Sequence, residues 1–218
     1  MIEVAPRILG RAVPALLAEK IESRHRQEGV TFHIGKSIMS INARRTIKLT
    51  DGSEICSDVI LAGIGSLPNT GLAETAGLTI DNGISVNGAL QTSDPDVFAA
   101  GDCCSFPHPL YGNKRIRIES WRAAQEQGEH AARAMLGSTE SYRAVPWFWS
   151  DQYDLTLQIS GLATDAIDQV ERKLDDHSSI LFHLAANGRL IAASGLGAGN
   201  SVARDIRLAE MLIAKERK

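Results

Sequence analysis

Cysteine is scarce in this chain of 218 residues, which contains only Cys56, Cys103 and Cys104. Three cysteines are too few for a disulfide framework, and their spacing matches neither the CxxC redox motif nor a zinc site. Because thiols are among the most buried side chains, the vicinal pair is interpreted as core packing, with a redox role as the minority alternative. The histidines follow no ligand spacing such as HExxH, so the sequence predicts no metal site, and His108, between two prolines, is predicted to lie in a loop.

Long apolar runs and an excess of positive charge are also missing. No run approaches the roughly 20 residues that cross a bilayer, and the first residues lack the apolar core and cleavage site of a signal peptide, so we expect a cytoplasmic protein. The formal net charge of −3 supplies no broad positive field, which makes nucleic acid and anionic membranes improbable partners. The apolar fraction of 44% and the charged fraction of 22% are ordinary for a globular protein with one sizeable core or two small ones.

The first 91 residues show helix and strand signals that are typical of an α/β unit. A helical pattern begins at Pro14 and ends at Glu28, before Gly29. The run DVILAGI at residues 58–64 is almost entirely apolar, which predicts a strand buried on both faces of a sheet. The other predicted elements are strands at residues 1–4, 30–34, 37–42 and 46–49 and a helical turn at residues 72–76.

A further α/β segment and then a separate α+β unit follow. The run VFAA at residues 97–100 predicts a buried strand, and small residues at helical spacing predict a helix over residues 121–136. From Pro146 the pattern changes to strands with short turns such as Asn187–Gly188, followed by an amphipathic helix from about Ser201. The predicted strands of this last unit span residues 154–160, 169–174, 180–185 and 190–194.

The segment TSDPDVFAAGD, residues 92–102, places a carboxylate directly after a glycine at the predicted end of an apolar strand. Ligands of α/β sheets bind at the carboxyl ends of strands, and Gly101 would let the backbone come close to one. An ionised carboxylate is purely an acceptor, so Asp102 suits a polyhydroxyl chain such as the ribityl group of a flavin. Taken alone, however, a glycine–aspartate pair more often marks a simple turn after a strand.

Four segments in this order resemble the oxygenase-coupled ferredoxin reductases, a family that includes those of the biphenyl-dioxygenase, putidaredoxin and rubredoxin systems: TSDPDVFAAGD, HPLYG, RIESWRAAQEQG and VPWFWSDQYDLTLQISGL. The resemblance covers essentially the whole chain. It implies an FAD-containing enzyme that takes hydride from NADH and passes electrons singly to a [2Fe–2S] ferredoxin, and it leaves a homodimer open. The implied domains are a partial Rossmann-like NAD-binding domain at residues 1–91, the C-terminal segment of the FAD-binding domain at 92–145, and a small α+β domain at 146–218.

The resemblance also implies which residues face the flavin. Gly101 and Asp102 would meet the ribityl group, and Glu119, Ser120 and Trp121 would lie beside the isoalloxazine. The start of a helix has free N–H groups and a partial positive charge, which suit the electron-rich pyrimidine end of a reduced flavin. The alternative for Trp121 is a core aromatic, since large aromatic side chains more often fill cores.

A second set of residues is implied for the nicotinamide cofactor. Glu3 would accept hydrogen bonds from the adenosine ribose diol, which favours NADH over NADPH. Arg11 would face the dinucleotide; an ordinary solvated arginine is the alternative, and an arginine here could also meet the 2′-phosphate of NADPH. Ile64 and Gly65 would leave room for the flat nicotinamide ring, although a plain loop would look similar. No residue is assigned a catalytic role.

Two further patterns lie in the last unit: an aromatic run at residues 147–149 and a glycine pattern at residues 195–199. The run Trp147–Trp149 is interpreted mainly as core packing, with contact to ferredoxin as the alternative, because successive side chains of a strand cannot share one face. The GxGxG pattern at residues 195–199 precedes a helix, but no buried strand of a βαβ unit leads into it, so it is rejected as a nucleotide site.

The chain departs from the family pattern ahead of Glu3, where neither of the family's two glycine-rich pyrophosphate loops is present. We therefore expect weak cofactor binding by this chain alone and favour a fragment of a longer reductase. A gene product completed by another chain, and a truncated, non-catalytic interaction or dimerisation module, are the alternatives. A disulfide reductase is disfavoured because no CxxxxC pair is present.

Overall fold

The computed structural model describes residues 1–175 and 177–216. They form two compact units, of which the first ends at Gly65 and the second begins at Ser66. Helices and sheets are mixed throughout, as predicted for an α/β chain that ends in an α+β unit.

The first unit contains one helix and two small sheets. Helix α1, Ala15–Gln27, buries Leu17, Ala18 and Ile21 and is followed by Gly29 at φ +86°, so the predicted helix is confirmed. The strands are β1 (Ile2–Glu3), which pairs in parallel with β2 (His33–Ile34), and β3 (Ile38–Ile41), β4 (Thr46–Leu49) and β5 (Glu54–Cys56), which form an antiparallel sheet.

The prediction of a buried strand at residues 58–64 is wrong. These residues form no strand, and Leu61 and Ile64 are 92% and 93% exposed. A strand exists only when its N–H and C=O groups pair with a neighbour, and within the described residues no strand lies beside this segment. The apolar composition predicted a strand, but composition does not show whether a neighbouring strand is present to pair with it.

The first part of the second unit contains a small sheet against which helix α3 packs. The short helix α2, Gly71–Thr75, precedes the sheet, in which β7 is central and pairs with β6 and β8. Helix α3 confirms the helix predicted over residues 121–136: Ser120 is its N-cap, and it ends before Gly137 at φ +97°. The elements are β6 (Ile84–Ser85), β7 (Cys104–His108), a 3₁₀ turn (Pro109–Tyr111), β8 (Lys114–Ile116) and α3 (Trp121–Met135).

The remainder of the second unit is a five-stranded antiparallel sheet covered by helix α4, and its predicted strands are confirmed within a few residues. The strand order is β11-β12-β13-β10-β9, so β9 lies at an edge. The elements are β9 (Trp147–Gln152), β10 (Leu155–Gly161), β11 (Asp168–Lys173), β12 (Ser179–Leu184), β13 (Leu190–Ala198) and α4 (Ala203–Ala214).

Tyr111 joins the 3₁₀ turn to this large sheet. Its hydroxyl donates to the Ile191 carbonyl at 3.2 Å and accepts from the Leu162 amide at 2.9 Å. Nearby, the Arg189 guanidinium donates to the Leu110 carbonyl at 2.8 Å. These contacts join residues on either side of the boundary predicted at residue 145. The domain boundaries predicted at residues 91 and 145 stay predictions.

Gly195 and Gly197 of the GxGxG pattern lie in β13, where they allow close packing against the start of helix α4 and the residues before it, and Gly199 follows the strand. A Cβ atom on Gly195 would lie 3.0 Å from Val202 Cβ and 3.1 Å from Ile206 Cγ1. A Cβ atom on Gly197 would collide with the hydroxyls of Ser201 and Ser178. Their role in close packing agrees with the rejection of this pattern as a nucleotide site.

We expect Gly195→Ala to lower the free energy of unfolding by about 1–3 kcal/mol, because the added methyl group overpacks the contact between β13 and α4. Urea unfolding measures the change. Gly128→Ala in helix α3 is the matched control: its Cβ would meet nothing within 4 Å, and alanine should stabilise the helix by up to about 1 kcal/mol. Equal effects of the two substitutions would contradict the packing role.

Two further sequence predictions are corrected around β7. Residues 97–100 form no strand beyond a single bridge between Gln91 and Phe98, because the buried strand of this region is Cys104–His108. His108 is therefore not a loop residue: it is fully buried, and its Nε2 lies 3.0 Å from the Ala144 carbonyl, to which it donates.

Burial lowers the pKa of His108 and of His183, which is also buried. Both folded-state pKa values therefore lie below the unfolded value of about 6.5, and the unfolded chain binds more protons in between. The stability that depends on neutral rings is present above about pH 6.5 and is lost as the pH falls below it, by at most about 1.4 kcal/mol per pH unit for each histidine.

We expect His108→Gln, which keeps a donor for the Ala144 carbonyl, to flatten this loss between about pH 6.5 and 5. Urea unfolding at several pH values gives the slope. A slope that does not respond to His108→Gln would show that this ring is not a source of the acid sensitivity.

Candidate functional site

Gly101 and Asp102 lie in a turn just before β7. Gly101 has φ +84°, a conformation that L side chains rarely adopt, so the glycine is required by the backbone. Asp102 is exposed, and its carbonyl accepts from Arg117 Nη1 at 3.0 Å. Among the described residues no donor reaches its carboxylate, which is thus able to accept hydrogen bonds from a ligand.

Gln127 fastens this turn to helix α3, and sequence reasoning missed it. Its side chain is fully buried, and Oε1 accepts from the Gly101 amide at 2.7 Å and from the Cys104 thiol at 3.2 Å. Its Nε2 has no partner among the described residues. The available signal was a glutamine on the buried stripe of the helix, at helical spacing between Ala123 and Ala131.

Cys104 acts here as a packing residue and hydrogen-bond donor. It is fully buried, and burial raises the pKa of its thiol to about 12, so the thiol stays protonated. Cys103 is half-buried, and its thiol donates to the Ala100 carbonyl at 3.6 Å. The interpretation of Cys104 as core packing is confirmed.

Arg117 joins the turn to the start of helix α3 and was also missed. Its Nη1 donates to the Asp102 carbonyl and to Glu119 Oε1, at 3.0 and 2.6 Å. Its side chain is only 11% exposed, so this arginine holds the two segments together in a fixed position. The available signal was an arginine two residues before Glu119, since side chains two apart in extended chain share a face.

The start of helix α3 combines free backbone amides with an exposed aromatic ring. Ser120 Oγ accepts from the Ala123 amide and donates to the Trp147 carbonyl, both at 3.2 Å. This hydroxyl therefore caps the helix and ties it to β9. Trp121, the first helical residue, is 74% exposed, which excludes the alternative that it fills the core.

An aromatic pair lies on one face of the edge strand β9. The rings of Trp147 and Trp149 stack with centroids 5.3 Å apart, and Arg122 lies 5.3 Å from the centroid of Trp147. Phe148 points to the other face, as alternation along a strand requires. Trp149 is 46% exposed, so this edge presents an apolar surface as well as packing inward.

The residues predicted to face the nicotinamide cofactor lie in the first unit. Glu3 ends β1, and its Oε1 accepts from the Ala5 amide at 2.8 Å. Arg11 is exposed, and its Nη1 lies 3.8 Å from the position that a Cβ atom on Gly65 would take. Gly65 has φ +98°, and Ile64 beside it is almost fully exposed.

The predicted residues therefore fall into two groups. In the second unit, Arg117 connects Gly101 and Asp102 to the Glu119–Trp121 segment through hydrogen bonds. In the first unit, Arg11 lies close to Gly65. Across residues 1–175 and 177–216, no three histidine, cysteine, aspartate or glutamate side chains are grouped so that they could hold a metal ion.

Comparison with known protein families decides the identity. The family model described as pyridine nucleotide-disulphide oxidoreductase matches residues 1–128, which is more than half of the chain. The chain belongs to the pyridine nucleotide-disulphide oxidoreductase family. A second model, described as reductase C-terminal, matches residues 147–218 of the chain.

Named relatives of this chain include ferredoxin reductases. It is 38% identical over 218 residues to the anthranilate 1,2-dioxygenase system ferredoxin–NAD(+) reductase component of Burkholderia cepacia, covering 98% of this chain and 52% of the relative. It is 38% identical over 169 residues to putidaredoxin reductase of Pseudomonas putida, covering 75% of this chain and 40% of the relative.

A solved structure also resembles this chain. The ferredoxin reductase for the CYP199A2 system from Rhodopseudomonas palustris superposes with a TM-score of 0.91 and 31% identity, covering 100% of this chain and 54% of that one. The resemblance to ferredoxin reductases and the α/β fold class are confirmed. The chain spans about half the length of these relatives. Within the described residues no helix is both long and apolar enough to cross a membrane.

Proposed function

We propose that this chain is the flavin-contacting part of an FAD-dependent reductase that passes electrons from NADH to a ferredoxin serving an oxygenase. The observation that carries the proposal is the pairing of an unpartnered carboxylate, Asp102, with the exposed Trp121 at the start of helix α3, held in one assembly by Arg117 and Gln127. The ferredoxin–NAD(+) reductase activity named for the Burkholderia cepacia relative supports it.

The residues of this assembly fit a flavin. The Asp102 carboxylate would accept hydrogen bonds from ribityl hydroxyls, and the unpaired amides of the first turn of helix α3 would face the pyrimidine end of the ring. Gly101 gives the turn its left-handed conformation and packs against Ala124 of helix α3, and Trp121 offers an aromatic surface at the helix start. When bound, FAD supplies the conversion of a two-electron hydride into single electrons.

The nicotinamide cofactor is assigned to the first unit. The second oxygen of the Glu3 carboxylate would accept from the ribose diol while Oε1 holds the Ala5 amide. Arg11 would contact the dinucleotide, and the exposed Ile64–Gly65 loop would admit the nicotinamide ring. We propose NADH as the preferred donor, since a carboxylate at Glu3 repels the 2′-phosphate of NADPH.

If Glu3 selects the cofactor, Glu3→Gln should reduce the ratio of NADH to NADPH affinity by about tenfold, because a neutral amide no longer repels the phosphate. Titration of the chain with each nucleotide, followed by calorimetry, gives the ratio. Glu19→Gln, on α1, is the control. An unchanged ratio would remove Glu3 from the cofactor site.

We assign the ferredoxin contact to the aromatic surface of edge strand β9, where the ring of Trp149 stacks on that of Trp147. Aromatic residues at the centre of a protein interface contribute much of its affinity, and Trp149 is 46% exposed. This surface adjoins the proposed flavin contact at the start of helix α3, because Ser120 bonds directly to β9. Electron transfer would then require no long path between flavin and acceptor.

Flavin binding by the purified chain tests the proposal. We expect FAD to bind with a dissociation constant between about 10 μM and 1 mM, weaker than in a complete reductase, and to quench tryptophan emission. Trp121→Phe should remove a large part of the quenching while leaving the unfolding free energy within about 0.5 kcal/mol, since this ring is exposed. No binding at about 1 mM FAD, or quenching indifferent to Trp121, would overturn the assignment.

A further inference from the structure

Arg122 is the second residue of helix α3 and lies where a cation is unfavourable. The start of a helix has a partial positive charge that favours acidic residues, yet the first turn of α3 contains this arginine and no acidic residue. Two carboxylates offset the charge: Nε donates to Glu126 Oε1 at 2.8 Å, and Nη2 donates to Glu210 Oε1 at 2.6 Å. A cation held in this way at a helix start indicates a role beyond its own helix.

Glu210 fixes the far side of this arginine. It lies on the buried face of helix α4, with only 9% of its side chain exposed, beside Ile206 and Ile213 of the core. A buried carboxylate is costly unless it is paired, and here the second oxygen, Oε2, accepts from Arg207 at 2.7 Å. Because Glu210 is held by the packing of α4, the guanidinium of Arg122 has a defined position between the two helices.

The fixed guanidinium lies over the ring of Trp147. Its central carbon is 5.3 Å from the ring centroid, which is close enough for a cation–π attraction. The same indole stacks on Trp149, with the two centroids 5.3 Å apart and 28° between the ring planes. A planar guanidinium can bind carboxylates and stack on an aromatic ring together, whereas the ammonium of lysine is a point charge. Arg122 thus connects the buried ion pair to the aromatic pair of β9.

Strand β9 itself offers these two indoles little support. It lies at the edge of its sheet and pairs with β10, in which Ser160 and Gln158 are opposite Trp147 and Trp149. Residues directly opposite in an antiparallel pair are neighbours on one face, so the cross-strand neighbour of Trp147 is the small serine. A serine side chain covers little of an indole, and the orientation of this ring therefore depends on Arg122.

We propose that Arg122 is a positioning residue for the electron acceptor: its guanidinium, anchored by Glu126 and Glu210, fixes the Trp147–Trp149 pair in the orientation that receives a ferredoxin. The inference rests on the proposed function, which assigns the ferredoxin contact to β9. A surface that is already ordered loses less conformational entropy when a partner docks. Loss of the anchor should therefore weaken docking even though both indoles remain.

The orientation of the indoles is measured first, on the chain alone. Two stacked indoles give an exciton signal in far-ultraviolet circular dichroism, and Arg122→Gln should remove most of it. Arg122→Lys, which keeps the charge but not the planar guanidinium, should reduce it as well. Arg133→Gln is the matched control, since it removes the same charge from the same helix at a side chain that is 70% exposed, and it should leave the signal unchanged.

Docking is measured second, by calorimetry with the ferredoxin of the Burkholderia cepacia anthranilate 1,2-dioxygenase system, whose reductase component is 38% identical to this chain. We expect Arg122→Gln and Arg122→Lys to raise the dissociation constant about five- to tenfold, which is the effect of ordering one or two large side chains on binding. Arg133→Gln should bind as the parent chain does.

A double variant separates position from folding. Arg122→Gln leaves the buried Glu210 with Arg207 alone, so Arg122→Gln combined with Glu210→Gln is measured alongside it. The double variant has no unpaired buried charge and should unfold at a urea concentration close to that of the parent. It should nevertheless show the same losses of exciton signal and of ferredoxin affinity.

The proposal is overturned if the exciton signal persists in the double variant, or if Arg122→Gln binds the ferredoxin as tightly as the parent. Full affinity of Arg122→Lys beside weakened Arg122→Gln would also overturn it, because charge rather than position would then control docking. Absence of binding by the parent chain would instead contradict the assignment of β9 to ferredoxin, and the docking role of Arg122 would fall with that assignment.

Discussion

Asp102→Ala should weaken FAD binding by about 10- to 100-fold, because hydrogen bonds to a charged acceptor contribute about 1.5–3 kcal/mol. The carboxylate has no partner among the described residues, so its removal leaves no buried donor unpaired and should change the free energy of unfolding by no more than about 0.5 kcal/mol. Fluorescence titration with FAD measures the first quantity and urea unfolding the second.

The matched control for this prediction is Asp96→Ala, which removes another exposed carboxylate from the same segment. It should leave the FAD affinity unchanged. If both substitutions weaken binding equally, the effect is a general loss of charge rather than a contact. If neither does, Asp102 is only the turn residue that its position after Gly101 also permits.

Gln127→Leu should have the largest effect on stability among the residues around the turn. Leucine is similar in size but leaves the Gly101 amide and the Cys104 thiol without their acceptor in the core. An unsatisfied buried donor costs about 1–3 kcal/mol, so the free energy of unfolding should fall by about 2 kcal/mol. Because the turn then loses its attachment to helix α3, FAD affinity should fall as well.

Gln125→Leu provides the comparison for this substitution, since Gln125 lies on the exposed face of the same helix. Its unfolding free energy should stay within about 0.5 kcal/mol of the parent. A Gln127→Leu variant as stable as Gln125→Leu would mean that the Gly101 amide finds another acceptor. Full FAD affinity in a destabilised variant would separate the turn from the flavin site.

Local signals predicted several elements well. Small residues at helical spacing predicted helix α3, and the turn pair Asn187–Gly188 predicted the hairpin between β12 and β13. These elements depend on residues close in sequence, so the chain's local chemistry is sufficient to predict them. The same reasoning missed β5 and misplaced the buried strand to residues 97–100.

The errors share one cause, which is that strands and buried polar groups depend on distant partners. Residues 58–64 carry a strand composition but meet no neighbouring strand, whereas Cys104–His108 is central in its sheet because β6 and β8 lie on either side of it. Gln127 bonds to Gly101, which is 26 residues away in the sequence, and Arg117 bonds to Asp102, which is 15 residues away. The periodicity of a sequence does not indicate contacts over such separations.

By itself, the sequence determined the family, because four ordered segments are far more specific than any single glycine or aspartate, and it determined the helices and hairpins whose signals are local. Only the tertiary structure decided that Trp121 is exposed, that His108 is buried, and that the turn at Asp102 is held by Gln127 and Arg117. Exposure and hydrogen-bond partnership are properties of packing, which emerges when segments far apart in sequence meet.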